Sequence, residues 1–344
     1  MIIFALLIVF YTIFGGFTAV CWTDFFQGML MMIALMAVPV AVIASGTELD
    51  TALLSKIYEY TDASGVKVVC DFGGGLFSAS WQDIATGMAW GLGYFGMPHI
   101  QVHFMAVESE DKLSLSRRVG SIWCVISLGV AVLIGIIGFG MTKTGALALP
   151  ASEPEAENMI VNVARLIAQK GVFAAIIGGF ILAGILAATM STADAQLLGA
   201  ASGVTKNLLN DVFGKNLDDK TNMLIARLTV VGVAILGVIF ASNPNSSIFR
   251  VVSFAWAGFG ATFGPVMLFA LFWKRCNKEG AIAGMAAGMV TIFIWKFLIA
   301  PKGGIFAIYE LLPAFVVSSI LIVVVSLCTP APDKEIVAEF ESVA

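Results

Sequence analysis

Nine apolar runs make up most of this sequence and restrict what it can fold into. With 59% hydrophobic and only 12% charged residues, the chain falls outside the range of soluble globular domains. Most runs reach the roughly 20 residues that a helix needs to cross hydrocarbon, whereas barrel strands would alternate every second residue. We therefore predict an all-α, polytopic membrane helix bundle of about eight to nine spans. The runs cover residues 1–14, 18–45, 82–107, 119–146, 171–205, 222–241, 250–273, 279–299 and 306–328.

The loops between these runs differ in charge, and the difference predicts the orientation of the chain. Three Lys or Arg residues lie in each of ESEDKLSLSRR (108–118), KNLLNDVFGKNLDDK (206–220) and KRCNKEG (274–280). The loops on the other side, 46–81 and 147–170, are longer and acidic. Because basic loops stay on the cytoplasmic side, these three loops are predicted to be cytoplasmic.

The sequence predicts one transmembrane domain, residues 1–329, followed by a short tail, residues 330–344. The charged tail falls on the same side as the basic loops. The chain is therefore predicted to be a multi-pass protein of the cell membrane with a cytoplasmic C-terminus. We expect lipid and a small molecule as its partners and no nucleic acid; the sequence leaves the oligomeric state open.

The first run, MIIFALLIVFYTIF, is short for a full span, because Gly15 and Gly16 follow it directly. It also lacks the basic region and the small-residue cleavage site of a signal peptide. We interpret it as the end of a helix whose beginning is absent from this chain.

The third long run contains WGLGYFGMPH (90–99), in which three glycines and a proline interrupt a helix at membrane depth. Irregular backbone at that depth is tolerated where it is buried in protein or lines a watery cavity, as in the broken helices of transporters. Trp90, Tyr94 and Pro98 would share one face if helical geometry persisted, giving a pocket an aromatic wall. Close packing of a glycine-rich helix on a neighbour is the alternative.

A second polar feature, AATMSTADAQ (187–196), lies deep in a hydrophobic run. Ala188, Ser191 and Thr192 stand at i, i+3 and i+4, so two hydroxyls and a carbonyl face the same way. Neutral oxygens of this kind suit a small hard cation such as Na⁺. The alternative is that both hydroxyls bond back to a carbonyl one turn earlier.

Two acidic residues are further candidates, for an ion pathway. Asp194 is an acid inside a span, which is costly and by default indicates function, although a protonated or paired structural group remains an alternative. Asp24, in AVCWTDFFQ, is predicted at a helix start, where a carboxylate also caps free N–H groups; ion release is the functional alternative.

Other residues of interest have simpler interpretations. His99 and His103 are spaced as a metal pair, but no Glu or Cys accompanies them, so packing or hydrogen bonding is favoured. The five cysteines are scattered and form no CxxC pair, which indicates neither a disulfide framework nor a thiolate metal site. Since no nucleophile and base pair is visible, the sequence does not indicate an enzyme.

Four stretches, in this order along the chain, resemble the sodium/solute symporter family. They are GGFTAVCWTD (15–24), WGLGYFGMPHI (90–100), ILAATMSTADAQLL (185–198) and SFAWAGFGATFGP (253–265). The resemblance implies an inverted-repeat fold of the LeuT type with Na⁺ and substrate near the membrane midplane. It also implies that the first core helices of the fold are missing here, so that this chain by itself would not transport.

The same resemblance implies roles for individual residues. Ala188, Ser191 and Thr192 would be Na⁺ ligands from the eighth core helix. Trp90, Tyr94 and Pro98 would be substrate-pocket positions on the sixth. Asp24 would match an acidic residue linked to sodium handling, while His103 stands where arginine is expected in members that carry proline.

The resulting functional hypothesis is Na⁺-coupled secondary active uptake of a small amino acid by alternating access, with proline favoured. Several alternatives stay open. The same machinery could carry pantothenate, a carboxylate or a sugar. A proton-coupled carrier using Asp194, a symporter-like sensor module and a non-functional fragment are the others.

Overall fold

The computed structural model is almost entirely helical, as the hydropathy predicts. It describes residues 2–47, 57–61, 67–71, 79–148, 150, 153–215, 217–242 and 248–343. In chain order its elements are α1 (Ile2–Ala44), β1 (Ile57–Thr61), β2 (Lys67–Asp71), α2 (Trp81–Gly93), α3 (Pro98–Met105), α4 (Glu110–Lys143), α5 (Glu153–Glu157), α6 (Met159–Ala168), α7 (Val172–Ser202), α8 (Asp219–Phe240), α9 (Ile248–Phe272), α10 (Lys278–Ile294), α11 (Leu311–Cys328) and α12 (Lys334–Val343).

Several helices end in turns of another pitch. A π-helical segment, Gly203–Val212, continues α7, and another, Trp295–Ile299, continues α10. Short 3₁₀ turns lie at Tyr94–Gly96, Ala300–Lys302 and Gly304–Ala307.

Seven helical segments within the described ranges are long and apolar enough to cross a membrane, fewer than the nine runs in the sequence. Two causes explain the difference. The runs 1–14 and 18–45 join in α1, which is interrupted at Gly16, where φ is 63° and ψ is −174°. A positive φ is easily adopted only by glycine, so the chain changes direction there. The run 82–107 is divided into α2, a 3₁₀ turn and α3.

A β-hairpin lies in the loop predicted over residues 46–81 and was not expected in an all-α chain. β1 and β2 pair antiparallel, with Ile57 opposite Asp71 and Thr61 opposite Lys67. The hairpin is short, and the predicted helical fold class holds for the rest of the described chain.

The chain divides into two compact units. Unit 1 comprises Met1–Gly73 and Ala106–Ser247, and unit 2 comprises Gly74–Met105 and Ile248–Ala344. The predicted division into a domain of residues 1–329 and a tail of residues 330–344 stays a prediction.

Unit 1 is built on the contact between α1 and α7, the most extensive in this unit. Gly184 of α7 faces Ala34 of α1 at a distance that leaves no room for a side chain. Small residues at such contacts let two membrane helices approach closely. The apolar core beside this contact contains Val38, Val42, Ile134, Met141, Val163, Ile167 and Ile181.

Unit 2 is built on α10, which packs on α9 and α11. Gly280, Gly284 and Gly288 recur every fourth residue and form one buried face of α10. The Ser318 hydroxyl of α11 donates a hydrogen bond of 2.8 Å to the Gly284 carbonyl. Without side chains on this face, helix backbones come into direct contact.

The loop between α9 and α10 is fastened to the end of α11. Arg275 donates to the carbonyls of Thr329 (2.8 Å) and Pro330 (3.2 Å). Asn277 donates to the same carbonyl of Pro330 (2.8 Å), and its side-chain oxygen accepts from Gly280 N–H at the start of α10. Two loop side chains thus donate to the carbonyls that follow α11, and one of them also accepts from an N–H at the start of α10.

We expect Gly288→Ala to destabilise the protein, because a Cβ there would lie 2.9 Å from the carbonyl carbon of Ala261 and 3.3 Å from Thr262 Cα. Overpacking of this kind costs about 1–3 kcal/mol. The measurement is the thermal unfolding midpoint in detergent. Gly258→Ala in α9 is the matched control, because nothing lies within 4 Å of a Cβ built at Gly258. Equal midpoints for both variants would contradict the prediction.

Candidate functional site

The residues that the sequence singles out fall into two sets, one in each unit. The predicted Na⁺ ligands and both acidic residues belong to unit 1. The three predicted substrate positions belong to unit 2. Each set is described within its own unit.

The predicted Na⁺ ligands lie near the middle of α7, on one face of the helix. Ser191 Oγ and Thr192 Oγ1 both donate to the Ala188 carbonyl, at 3.2 Å and 3.1 Å. The hydroxyls therefore adopt the back-bonded geometry that the sequence leaves open as an alternative.

This geometry is compatible with a cation site. A hydroxyl that donates its one hydrogen keeps two lone pairs as acceptors. Ala188 and Ser191 are partly buried and Thr192 is exposed on unit 1. Three neutral oxygens fit a hard monovalent cation in chemistry, and other ligands would have to complete its shell.

Asp194, one turn further along α7, is fully buried and is held by a residue of α1. The Tyr11 hydroxyl donates to its Oδ2 at 2.7 Å, and the N–H of Ala195 donates to its Oδ1 at 2.7 Å. Tyr11 also lies 3.5 Å from the Met190 carbonyl. The buried carboxylate thus has one donor from a side chain and one from the backbone.

Asp24 lies close enough to Asp194 for their charges to repel, and Gln27 lies within hydrogen-bonding reach of the Tyr11 hydroxyl. Asp24 stands eight residues after the interruption at Gly16, inside α1. Only the first turn of a helix has N–H groups to cap, so the capping interpretation of Asp24 is wrong. Its predicted place on an ion pathway stays a prediction.

In unit 2 the helix break predicted in WGLGYFGMPH is present. α2 ends at Gly93, a 3₁₀ turn follows, and Met97 is extended before α3 begins at Pro98. Trp90 is partly buried, Tyr94 is 49% exposed and Pro98 is exposed. Because the helix does not continue through Met97, Pro98 does not share one helical face with the two aromatic residues.

Aromatic side chains from other parts of unit 2 surround Trp90. Its ring stacks on Tyr309 with centroids 5.4 Å apart and lies 6.0 Å from the ring of Trp256. Trp256 also meets Tyr94 edge to face at 4.8 Å. The aromatic wall expected from the sequence is therefore larger than Trp90 and Tyr94 alone.

The two histidines form a hydrogen-bonded turn. His103 Nδ1 lies 2.6 Å from the His99 carbonyl. Within the ranges that the model covers, no group of three His, Cys, Asp or Glu side chains is arranged to hold a metal ion.

The sequence patterns missed three residues that the structure places in these clusters: Tyr11, Trp256 and Tyr309. Tyr11 gave a weak signal, since it and Thr12 are the only polar side chains of the first apolar run. Trp256 lies in SFAWAGFGATFGP, where the glycines indicate an interrupted span but nothing indicates that the tryptophan contacts α2. Tyr309 follows the loop between α10 and α11, and nothing in the sequence indicates that this loop packs against α2.

Comparison with known proteins gives a consistent result. The model of the sodium:solute symporter family matches residues 1–288. The sodium/proline symporter of Haemophilus influenzae is 38% identical over 331 residues, which are 96% of this chain and 64% of that protein. The osmoregulated proline transporter OpuE of Bacillus subtilis is 39% identical over 327 residues, 95% of this chain and 62% of that protein. The chain thus spans just under two thirds of the length of these relatives.

Among solved structures, a Na⁺-coupled sialic acid symporter in a substrate-bound, outward-open state has the same fold. Its TM-score is 0.68 at 17% identity, covering 96% of this chain and 66% of that one. The likeness confirms the helical symporter fold that the sequence predicts.

We expect Tyr11→Phe to destabilise unit 1 by about 1–3 kcal/mol, because it leaves a buried carboxylate oxygen of Asp194 without its donor. The measurement is thermal unfolding in detergent. The matched background is Asp194→Asn, in which the neutral amide has a smaller need for that donor. An equal loss in both backgrounds would show that the Tyr11 hydroxyl does not act through Asp194.

Proposed function

Because the chain belongs to the sodium:solute symporter family, we propose that the protein couples Na⁺ entry to the uptake of a small amino acid, with proline as the favoured substrate. The supporting observation is 38–39% identity to relatives named for proline over at least 95% of the chain. The proposed function is transport and not catalysis of a chemical reaction.

For the cation, we propose that Ala188, Ser191 and Thr192 of α7 supply three oxygen ligands. They are hard, uncharged and on one face of a helix, which suits Na⁺. The observation that supports this proposal is that the three oxygens lie together, with both hydroxyl oxygens within 3.2 Å of the Ala188 carbonyl oxygen.

Asp194 and Asp24 are proposed to line the path of the ion. A carboxylate inside a membrane protein is costly unless it is used or paired, and a cation beside two repelling carboxylates would relieve that repulsion. The partly buried hydrogen bond between Tyr11 and the buried Asp194 also suits a proton carrier, so a proton-coupled mechanism is the second candidate.

We propose that the substrate binds at the break between α2 and α3. The ring of a proline-like zwitterion would pack on the aromatic wall that contains Trp90 and Tyr94, with Pro98 at the start of the next helix. Its carboxylate would be bound near the start of α3, since broken helix ends bind anionic groups in transporters.

Coupling of the two sites needs no covalent step, because each bound species favours the state that binds the other. One charge moving through 100 mV contributes about 2.3 kcal/mol, and a tenfold gradient about 1.4 kcal/mol. One Na⁺ per substrate would therefore support accumulation on the order of several hundredfold.

We expect Thr192→Val to raise the Na⁺ concentration for half-maximal proline uptake by about tenfold or more, because it removes an oxygen ligand to a charged ion. The measurement is labelled-proline uptake into cells that express the protein as its complete gene encodes it. Thr189→Val is the matched control: Thr189 is exposed on the same helix and also donates to a carbonyl four residues earlier, at 3.0 Å.

An unchanged Na⁺ requirement in Thr192→Val, with normal amounts of protein, would contradict the proposed cation site. Uptake that follows a pH gradient and ignores Na⁺ would instead support the proton-coupled candidate.

For the orientation, we propose a cytoplasmic C-terminus. In a variant without native cysteines, Ser342→Cys in α12 is expected to react with a membrane-impermeant maleimide only after the cells are opened. Lys302→Cys, in the turn between α10 and α11, is expected to react in intact cells. The reverse pattern would show that the basic loops predict the wrong side.

A further inference from the structure

A side chain of α9 holds the end of α2 at the point where the helix stops. Trp256 Nε1 donates to the carbonyl of Trp90 at 3.0 Å. Trp90 lies in the last turn of α2, and a carbonyl oxygen has a second lone pair that can accept from a side chain. The indole therefore adds a donor from α9 to the backbone of α2 at the point where the helix ends.

The position of this indole is tightly determined. A Cβ built on Gly93 would lie 2.7 Å from Cε2 of Trp256, and one built on Gly260 would lie 2.7 Å from Gly93 Cα. Atoms cannot approach so closely, so both glycines are needed for α2 and α9 to meet in this way.

The same indole contacts both aromatic residues of the predicted substrate segment. The centroid of its ring lies 6.0 Å from that of Trp90 and 4.8 Å from that of Tyr94, and the planes of the Trp256 and Tyr94 rings make an angle of 82°. The edge-to-face arrangement is a favoured geometry for aromatic pairs. A change at Trp256 would therefore alter the orientation of both rings.

Tyr309 fixes Trp90 from another direction. Its ring stacks on Trp90 at 17°, and its hydroxyl donates to the Ser253 carbonyl of α9 at 2.6 Å. α9 thus holds Trp90 directly through the hydrogen bond from Trp256, and indirectly through Tyr309, which is hydrogen-bonded to Ser253 and stacked on Trp90.

We propose that Trp256 is a positioning residue for substrate binding: it holds the broken end of α2 and thereby sets the orientation of Trp90 and Tyr94. It acts through these residues rather than as a ligand itself. The proposal rests on the function proposed above, in which this segment binds a proline-like zwitterion. Rigid orientation of contact residues increases affinity because less order must be imposed on binding.

The test is Trp256→Phe, which keeps an aromatic ring and removes the N–H donor. We expect the KM for labelled proline to rise about two- to tenfold, the loss that one hydrogen bond produces, with the maximal rate per protein copy little changed. Trp273→Phe, just after α9, is the matched control, because it removes an indole that meets Phe269 edge to face and lies outside the α2 contact.

A double variant separates positioning from general destabilisation. In a Tyr94→Leu background the ring that Trp256 orients is absent, so Trp256→Phe should raise the KM by a clearly smaller factor than in the parent protein. This ratio is measured per protein copy and does not depend on how much protein folds. If Trp256→Phe reduces abundance, equilibrium proline binding to the purified, folded fraction supplies the same comparison.

The outcomes are distinguishable. A KM unchanged by Trp256→Phe, or raised by the same factor with and without Tyr94, would overturn the positioning role while leaving the proposed transport function intact. A parent protein without Na⁺-dependent proline uptake would overturn the proposed function and this inference with it.

Discussion

The constraint on which this structure depends is that backbone groups inside hydrocarbon need partners within the protein. Long helices meet it internally, but the interruptions at Gly16 and after Gly93 do not. At the second interruption an indole from α9 supplies a donor to a carbonyl of α2. In the loop before α10, Arg275 and Asn277 donate to the carbonyls that follow α11. Some polar side chains of this apolar chain thus act where helices stop, while Ser191, Thr192 and Asp194 lie inside α7.

The same constraint explains why the environment of Asp194 involves two helices. Its phenol donor, Tyr11, precedes the interruption at Gly16, whereas its neighbour Asp24 follows it. The part of α1 before Gly16 thus supplies a hydrogen-bond donor to Asp194, and the part after Gly16 places a like charge near it. The interruption at Gly16 thus lies between two residues of α1 that act on the same buried acid.

Much of the fold follows from the sequence, because the apolar runs, the basic loops and the break in WGLGYFGMPH each have a direct physical cause. Hydropathy could not show that two runs join through Gly16, and it gave no sign of the hairpin, whose strands are too short to stand out. In the candidate site, the spacing of Ser191 and Thr192 predicted their common face. Tyr11, Trp256 and Tyr309 could not be predicted in the same way, because each acts on a residue more than 150 positions away along the chain and depends on helix packing.

The glycine face of α10 has a consequence for motion. Helices that interlock by side chains resist displacement along their axes, whereas Gly280 and Gly284 leave no such ridges on the part of α10 that meets α11. The hydrogen bond from Ser318 to Gly284 marks the present register. A shift of about one helical turn, roughly 5.4 Å, would bring another glycine carbonyl opposite the same hydroxyl. Such a shift would break the hydrogen bonds from Arg275 and Asn277 to the carbonyls that follow α11, so these two loop side chains hold the helix pair in its present register.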